Sequence, residues 1–270
     1  MSTSIEPVLN RITVYPIKSL DGVELQKSTI SAGGCLLHDR EFALMDEDGN
    51  FINGKSNPLV HTLRSIVDFE NGIMSFKAAA GTAWSQFHLP NEKPAVESFL
   101  TDYFGIKTFL LQNNTGRFMD IPDISGATVL STASLQEVST WFDHMDLNQT
   151  RKRFRATLEI TGVPAFWEDH LFSREGRAIE FKIGEVTLYG ISPRARCVVP
   201  TRNPETGEVT HAFPKSFSRH RASTLPEWST LEEYGHHYYL TVNCHIPASE
   251  TGKTIETGNP VNIIGEKVFN

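Results

Sequence analysis

Hydrophobic and polar residues alternate with period two through much of the first hundred positions. The alternation runs through Ile12 and Val14, continues at residues 15–17, returns at Phe42 and Leu44, and appears again at residues 73–76. Turn-forming sequences, Asp48-Gly49-Asn50 and Asn71-Gly72, separate these runs, so the pattern predicts strands joined as hairpins. Two stretches switch to a helical period. Residues 94–104 place Val96, Phe99, Leu100 and Tyr103 on one face with Gly105 as the stop, and residues 131–142 do the same with Leu135, Val138 and Phe142. Strand-favouring runs then resume at residues 154–160, 179–183, 186–188, 196–199, 237–243 and 261–264, with Gly184-Glu185 as a hairpin turn.

Strands of this kind must hide their edges by closing on themselves or covering one another. The expectation is a mainly β chain with a few helices, an α+β protein in two barrel-like parts. The polar stretch from Gln112 to Gly116 follows the strand-like Phe109-Leu110-Leu111 and divides the 270 residues into 1–118 and 119–270.

Composition narrows the class. At 39% hydrophobic and 21% charged residues the chain is an ordinary globular protein rather than a disordered or fibrous one. The 25 Lys and Arg residues are outnumbered by 32 Asp and Glu, a net charge of -7, which argues against a broad footprint for nucleic acid or an anionic membrane. Any anion site must therefore be local. The N-terminus lacks a basic stretch followed by an apolar one, and no run approaches a membrane span, so cytoplasmic placement is expected. The three cysteines, Cys35, Cys197 and Cys244, form no C-x-x-C pair, which speaks against a disulfide framework or a closed zinc or iron-sulfur site. One special thiol is still possible.

The segment Gly49-Asn50-Phe51-Ile52-Asn53-Gly54-Lys55-Ser56 matches the phosphate-binding pattern G-x-x-x-x-G-K-S letter for letter. That chemistry needs a helix starting at the Gly-Lys-Ser end, where free N–H groups meet the phosphates, but Asn57-Pro58 follows at once and pushes Asn57 towards extended backbone. The nucleotide reading is rejected in favour of a hairpin. The pair His236-His237 is likewise unsuited to chelation, because successive side chains on a strand face opposite ways.

Arg196-Cys197 offers clearer chemistry. A cation beside a thiol favours the thiolate, the form that binds metals or attacks electrophiles, and Arg194 adds a second positive charge. A buried structural cysteine is the alternative. Arg151, Lys152, Arg153 and Arg155 cluster upstream, and on a strand Arg153 and Arg155 would share a face and reach one anion, unless the run is a charged edge strand. Lys18-Ser19 and Asp39-Arg40 would complete a cradle for a phosphate and a polar heterocycle such as a pterin.

Several ordered motifs together resemble a known family. Val14-Tyr15-Pro16-Ile17-Lys18-Ser19 with Gly22-Val23, then His38-Asp39-Arg40-Glu41-Phe42, look like the N-terminal β-barrel domain that precedes a MOSC domain. Arg153-Phe154-Arg155-Ala156-Thr157-Leu158, Phe166-Trp167-Glu168-Asp169, Ile183-Gly184-Glu185-Val186, Arg196-Cys197 and Asn203-Pro204-Glu205-Thr206-Gly207 resemble the MOSC domain itself. Within that family the chain is similar to the amidoxime-reducing branch, the mitochondrial component and its bacterial counterparts.

The resemblance implies a molybdenum cofactor, a molybdopterin carrying molybdenum, with the Cys197 thiolate as metal ligand and catalytic centre. It implies that Lys18, Ser19, Arg40, Arg155 and Arg196 hold the pterin and its phosphate, and that Asp123 and Ser125 line the pocket floor. Thr157 stands where relatives usually have Asn, and so offers a shorter group with one donor fewer. The implied reaction is reduction of small N-hydroxylated substrates, amidoximes or hydroxylamines. Electrons would come from a separate donor protein of ferredoxin or cytochrome b5 type, since no cluster-binding cysteines follow. A sulfur carrier or cofactor-handling protein with a persulfide on Cys197 is the competing function.

Overall fold

A computed structural model of the chain describes residues 6–78, 82–89, 91–115, 118–121 and 126–269. The first part contains β1 (Val8–Val14), β2 (Val23–Leu25), β3 (Lys27–Thr29), β4 (Phe42–Met45), β5 (Arg64–Asp68), β6 (Ile73–Lys77), β7 (Ser85–His88), α1 (Lys93–Phe104) and β8 (Phe109–Gln112). The second contains β9 (Ala127–Ser131), α2 (Thr132–Ser139), α3 (Leu147–Phe154), β10 (Leu158–Thr161), β11 (Arg177–Ile183) and β12 (Val186–Ala195). It ends with α4 (Phe213–Ser223), β13 (Tyr239–His245), β14 (Thr254–Glu256) and β15 (Val261–Val268). The α+β class expected from the alternation holds.

One eight-stranded sheet, ordered β15-β11-β12-β13-β9-β10-β1-β2, spans the molecule. The strands of the first part do not all stay together: β1 runs antiparallel to β10, pairing Ile12 with Leu158, and so places the N-terminus in the sheet of the second half. β9 and β10 are parallel, as a crossover through α2 and α3 allows. Closed barrels were expected, but the sheets are open. β2 and β15 are edge strands of the large sheet, and β4-β8, β5-β6-β7 and β14-β3 form small sheets beside it.

Burial follows this layout. Leu9, Ile12, Val129, Leu158, Phe181, Leu188 and Val242 form one core along the large sheet. Ile17, Leu44, Phe76, Leu100 and Phe104 form another around α1 and the small sheets, and Val138, Phe154, Phe166, Phe213 and Phe217 form a third among α2, α3 and α4. Helix α1 ends as its sequence dictates, with Gly105 at φ 67° donating its N–H to the Thr101 carbonyl. Gly190 is fixed by close approach, since a Cβ there would lie 1.7 Å from the Leu171 carbonyl oxygen.

Two expected strands are corrected. Residues 147–154, expected in part to open a strand, form α3, because the Asp146 side chain caps the Gln149 N–H at 2.7 Å and Arg151, Lys152 and Arg153 sit in the last turn against the helix dipole. Arg153 and Arg155 therefore do not share a strand face. Residues 196–199 are also not a strand: β12 ends at Ala195 after register shifts around Pro193, and a short 3-10 turn follows at Val199–Thr201. Residues 15–17 keep only a single bridge, Ile17 to Phe42. The hairpin reading of the Gly-Lys-Ser segment stands, with Gly49 at φ 81°, Asn57 extended at φ -124°, and a 3-10 turn at Pro58–His61 in place of an α-helix.

Candidate functional site

A cavity of about 990 Å³ opens where the two parts of the chain meet. Lys18, Ser19, Arg40, Arg155, Thr157, Arg196 and Cys197 all line it, although they come from four separate stretches of sequence. Asp123 and Ser125 lie outside the described residues. Among the described residues twelve Lys or Arg line the cavity against five Asp or Glu, so this wall is strongly positive in a chain whose net charge is -7. Such a local reversal of sign marks a place for an anion.

Tyr15 and Asp39 organise its deep end. The Asp39 carboxylate, fully buried, accepts the Tyr15 backbone N–H at 2.8 Å and an Arg40 Nη1 hydrogen at 2.7 Å. The Arg40 guanidinium carbon lies 4.5 Å from the Tyr15 ring centroid, and that of Arg155 lies 4.0 Å from it. The Arg40 N–H donates to the Tyr15 carbonyl, which draws the two segments together. Ser19, Arg40 and Arg155 all have positive φ, at 73°, 52° and 54°. Each such non-glycine residue costs on the order of 1 kcal/mol or more, and strain of this kind concentrates at ligand sites.

Some guanidinium hydrogens here lack an acceptor among the described residues. Arg155 Nη2 and the Nε and Nη1 of Arg196 are buried without an acceptor, while Arg196 Nη2 donates to the Phe154 carbonyl at 2.9 Å. Burial, with the neighbouring charge of Arg194, brings the Arg196 pKa down to about 10, which still leaves it protonated at neutral pH. Guanidinium hydrogens without an acceptor, on side chains that line a cavity, leave room for an acceptor brought by a ligand.

Cys197 is an exposed free thiol just beyond the end of β12, whereas Cys35 and Cys244 are buried. Arg194 and Arg196 interact electrostatically with it, and the Tyr238 hydroxyl donates to its backbone carbonyl at 3.2 Å. Lys18 lines the same cavity, and its Nζ donates to the Phe118 carbonyl at 2.7 Å and to Asp120 Oδ1 at 2.8 Å. Thr157 behaves differently from the other predicted residues. Its hydroxyl donates to the Thr128 carbonyl at 3.1 Å and accepts the Thr128 N–H at 2.8 Å, so it shapes the wall without a free donor.

The sequence reading missed Tyr15, Asp120 and Lys55. Lys55, in the rejected phosphate-loop motif, does line the cavity, with His61 Nε2 3.0 Å from the Gly54 carbonyl in the same loop. Arg153, expected beside Arg155, instead donates to the Pro200 carbonyl at 2.8 Å.

A phosphorylated, metal-bearing pterin fits this donor set. Unpartnered guanidinium hydrogens suit a phosphate or polar ring edges, and an exposed thiol flanked by two arginines suits a soft metal. Among the described residues no group of three or more His, Cys, Asp or Glu could hold a metal without such a scaffold, and no helix is long and apolar enough to cross a membrane.

An open mixed sheet with a basic cavity and an exposed thiol at a strand end defines the class, and comparison with known proteins gives the family. Residues 6–100 match the MOSC N-terminal beta barrel domain and residues 124–262 match the MOSC domain. The chain belongs to the MOSC family. It is 24% identical over 246 aligned residues to mitochondrial amidoxime reducing component 2 of Macaca fascicularis, covering 76% of this chain and 69% of that protein. It is 20% identical over 306 residues to mitochondrial amidoxime-reducing component 1 of Homo sapiens, covering 95% and 82%. A 71-residue stretch, 26% of this chain and 8% of its relative, is 34% identical to molybdenum cofactor sulfurase of Arabidopsis thaliana.

Proposed function

We propose that this protein is a molybdenum-cofactor oxidoreductase that removes oxygen from small N-hydroxylated substrates such as amidoximes and hydroxylamines. The observation that carries the reading is the meeting of Arg155 and Arg196, each with guanidinium hydrogens that lack an acceptor among the described residues, with the exposed Cys197 thiol in one cavity. Similarity to two amidoxime-reducing components along most of the chain supports the substrate class.

In this reading Cys197 is the protein's ligand to molybdenum, and Lys18, Ser19, Arg40, Arg155 and Arg196 hold the pterin and phosphate. When bound, the cofactor supplies the two-electron exchange and the acceptor for the substrate oxygen. Arg40 and Arg155 are fixed in advance by the Tyr15 ring and Asp39, so the phosphate meets donors that need little reordering. Arg194 and Arg196 place positive charge beside Cys197, whose sulfur would meet the metal as the thiolate. Thr157 keeps β9 and β10 in register under the cavity through its bonds to Thr128. The two electrons come from a separate donor protein, and two protons convert the N–O group to N–H and water.

The test is reduction of an amidoxime by the holoprotein with a reconstituted electron donor, wild type against Cys197→Ser. Loss of turnover in the variant, with folding preserved, is expected; turnover at the wild-type rate contradicts the proposal. The exposed thiol near two arginines also suits a persulfide, and the stretch similar to a cofactor sulfurase favours that second reading. Wild-type protein that holds no molybdenum but accepts sulfur on Cys197 from a cysteine desulfurase selects it.

A further inference from the structure

Lys18 and Arg194 come from different halves of the chain and end on the same carboxylate. Asp120 Oδ1 lies 2.8 Å from Lys18 Nζ, and Asp120 Oδ2 lies 2.8 Å from Arg194 Nη2. Each oxygen takes one cation. Lys55 adds a third positive charge that acts on the same carboxylate, so the cluster remains net positive with Asp120 counted. This arrangement contrasts with Arg155 and Arg196, which keep guanidinium hydrogens without an acceptor among the described residues.

The two cations are anchored without Asp120. Lys18 also donates to the Phe118 carbonyl at 2.7 Å, and Arg194 Nη1 donates to Asn243 Oδ1 at 2.9 Å. Their side chains are 14% and 19% exposed, against 42% for Asp120. The carboxylate is thus the most exposed member of the trio, and both cations line the cavity beside it.

We propose that Asp120 is a resident competitor, occupying an oxyanion subsite made by Lys18 and Arg194 that a ligand's oxyanion group takes by displacing it. The chain's own carboxylate shows that the two cations accept an oxyanion across both side chains. A carboxylate brings one charge and two oxygens, whereas a phosphate or pyrophosphate brings more of both, so exchange favours the phosphorylated ligand and rejects monoanions. The observed affinity is the intrinsic affinity multiplied by the fraction of molecules in which the subsite is open. The inference does not depend on the ligand being a molybdenum cofactor.

The experiment uses the full chain expressed in a host unable to make that cofactor, titrated calorimetrically with inorganic pyrophosphate at low salt. Asp120→Asn is expected to bind it at least about fivefold tighter than wild type, the gain expected when a weak, half-exposed pairing is removed from competition. Asp120→Ser, which has no amide to hold Lys18 in the carboxylate's place, is expected to reproduce the gain. Glu24→Gln removes one negative charge from the same cavity wall, where Glu24 pairs with Arg11, without freeing Lys18 or Arg194, and is expected to change affinity less than about twofold. Equal gains in Asp120→Asn and Glu24→Gln overturn the proposal, since they show general electrostatics instead of displacement. No gain, or a gain confined to one Asp120 variant, overturns it too. Failure here leaves the proposed reaction standing, because pyrophosphate binding by the cofactor-free chain is read without any turnover.

Discussion

The Arg155 guanidinium carbon lies 4.0 Å from the centre of the Tyr15 ring, although Arg155 itself closes a helix with left-handed backbone at φ 54°. The cavity thus holds this cation by a ring face and a strained turn instead of an ion pair. Arg155→Ala removes the donor but keeps the strain, and Arg155→Gly removes both. Both variants are expected to retain severalfold less cofactor, measured as pterin released on denaturation. The glycine variant is expected to be about 1 kcal/mol more stable than the alanine variant in denaturant unfolding. Full occupancy in either contradicts the assignment of Arg155 to the ligand.

Thiol chemistry separates the cysteines. Cys197 is exposed, whereas Cys35 and Cys244 are buried and burial pushes the Cys244 thiol well above its ordinary value. In the native, cofactor-free protein a thiol reagent is expected to modify Cys197 alone, and Cys197→Ser is expected to abolish the fast reaction. Rapid modification of Cys35 or Cys244 under native conditions contradicts the burial described.

Glu168 makes stability depend on pH. Burial, reinforced by the charge of Asp169, raises its pKa from 4.5 to about 7; Ser134 Oγ donates to Oε2 at 2.8 Å, and Oε1 has no partner. The folded state therefore keeps a proton that the unfolded chain has lost, and stability from this group falls as pH rises from about 4.5 to about 7, then levels off. The full effect is of the order of 3 kcal/mol at about 1.4 kcal/mol per pH unit. Thermal unfolding between pH 5 and pH 8 should show this slope in wild type and lose most of it in Glu168→Gln. A slope of opposite sign that Glu168→Gln removes contradicts the assignment.

Gly190→Ala should be severely destabilised. The added methyl meets the Leu171 carbonyl oxygen at 1.7 Å, and backbone on both sides must move to relieve it. A loss of more than about 2 kcal/mol is expected in chemical denaturation. A loss below half that value would show that β12 has room to shift.

Much of this fold was legible in the chain because local signals agreed with tertiary packing. Gly105 stops α1 and Gly184-Glu185 turns β11 into β12 as the sequence patterns require. Helix α3 was not legible from periodicity, because only Thr150, Arg153 and Phe154 of its eight residues are buried and it has no apolar stripe. Its usable signals were the Asp146 cap and the basic last turn. The pairing of β1 with β10 and the left-handed backbone at Ser19, Arg40 and Arg155 arise from long-range contacts that no local pattern encodes. The motifs singled out Lys18, Arg40, Arg155 and Arg196, which line the cavity, while Tyr15 and Asp120 passed unnoticed because each acquires its role only when distant cations meet it.

Molybdenum content of the protein purified from a host that makes the cofactor tests the account most directly. Wild type and Cys35→Ser are expected to carry close to stoichiometric molybdenum together with the pterin, and Cys197→Ser to lose most of the metal while its unfolding transition is unchanged. Wild-type protein without molybdenum, or a Cys197→Ser protein carrying as much as wild type, contradicts the claim that Cys197 anchors a molybdenum cofactor in this cavity.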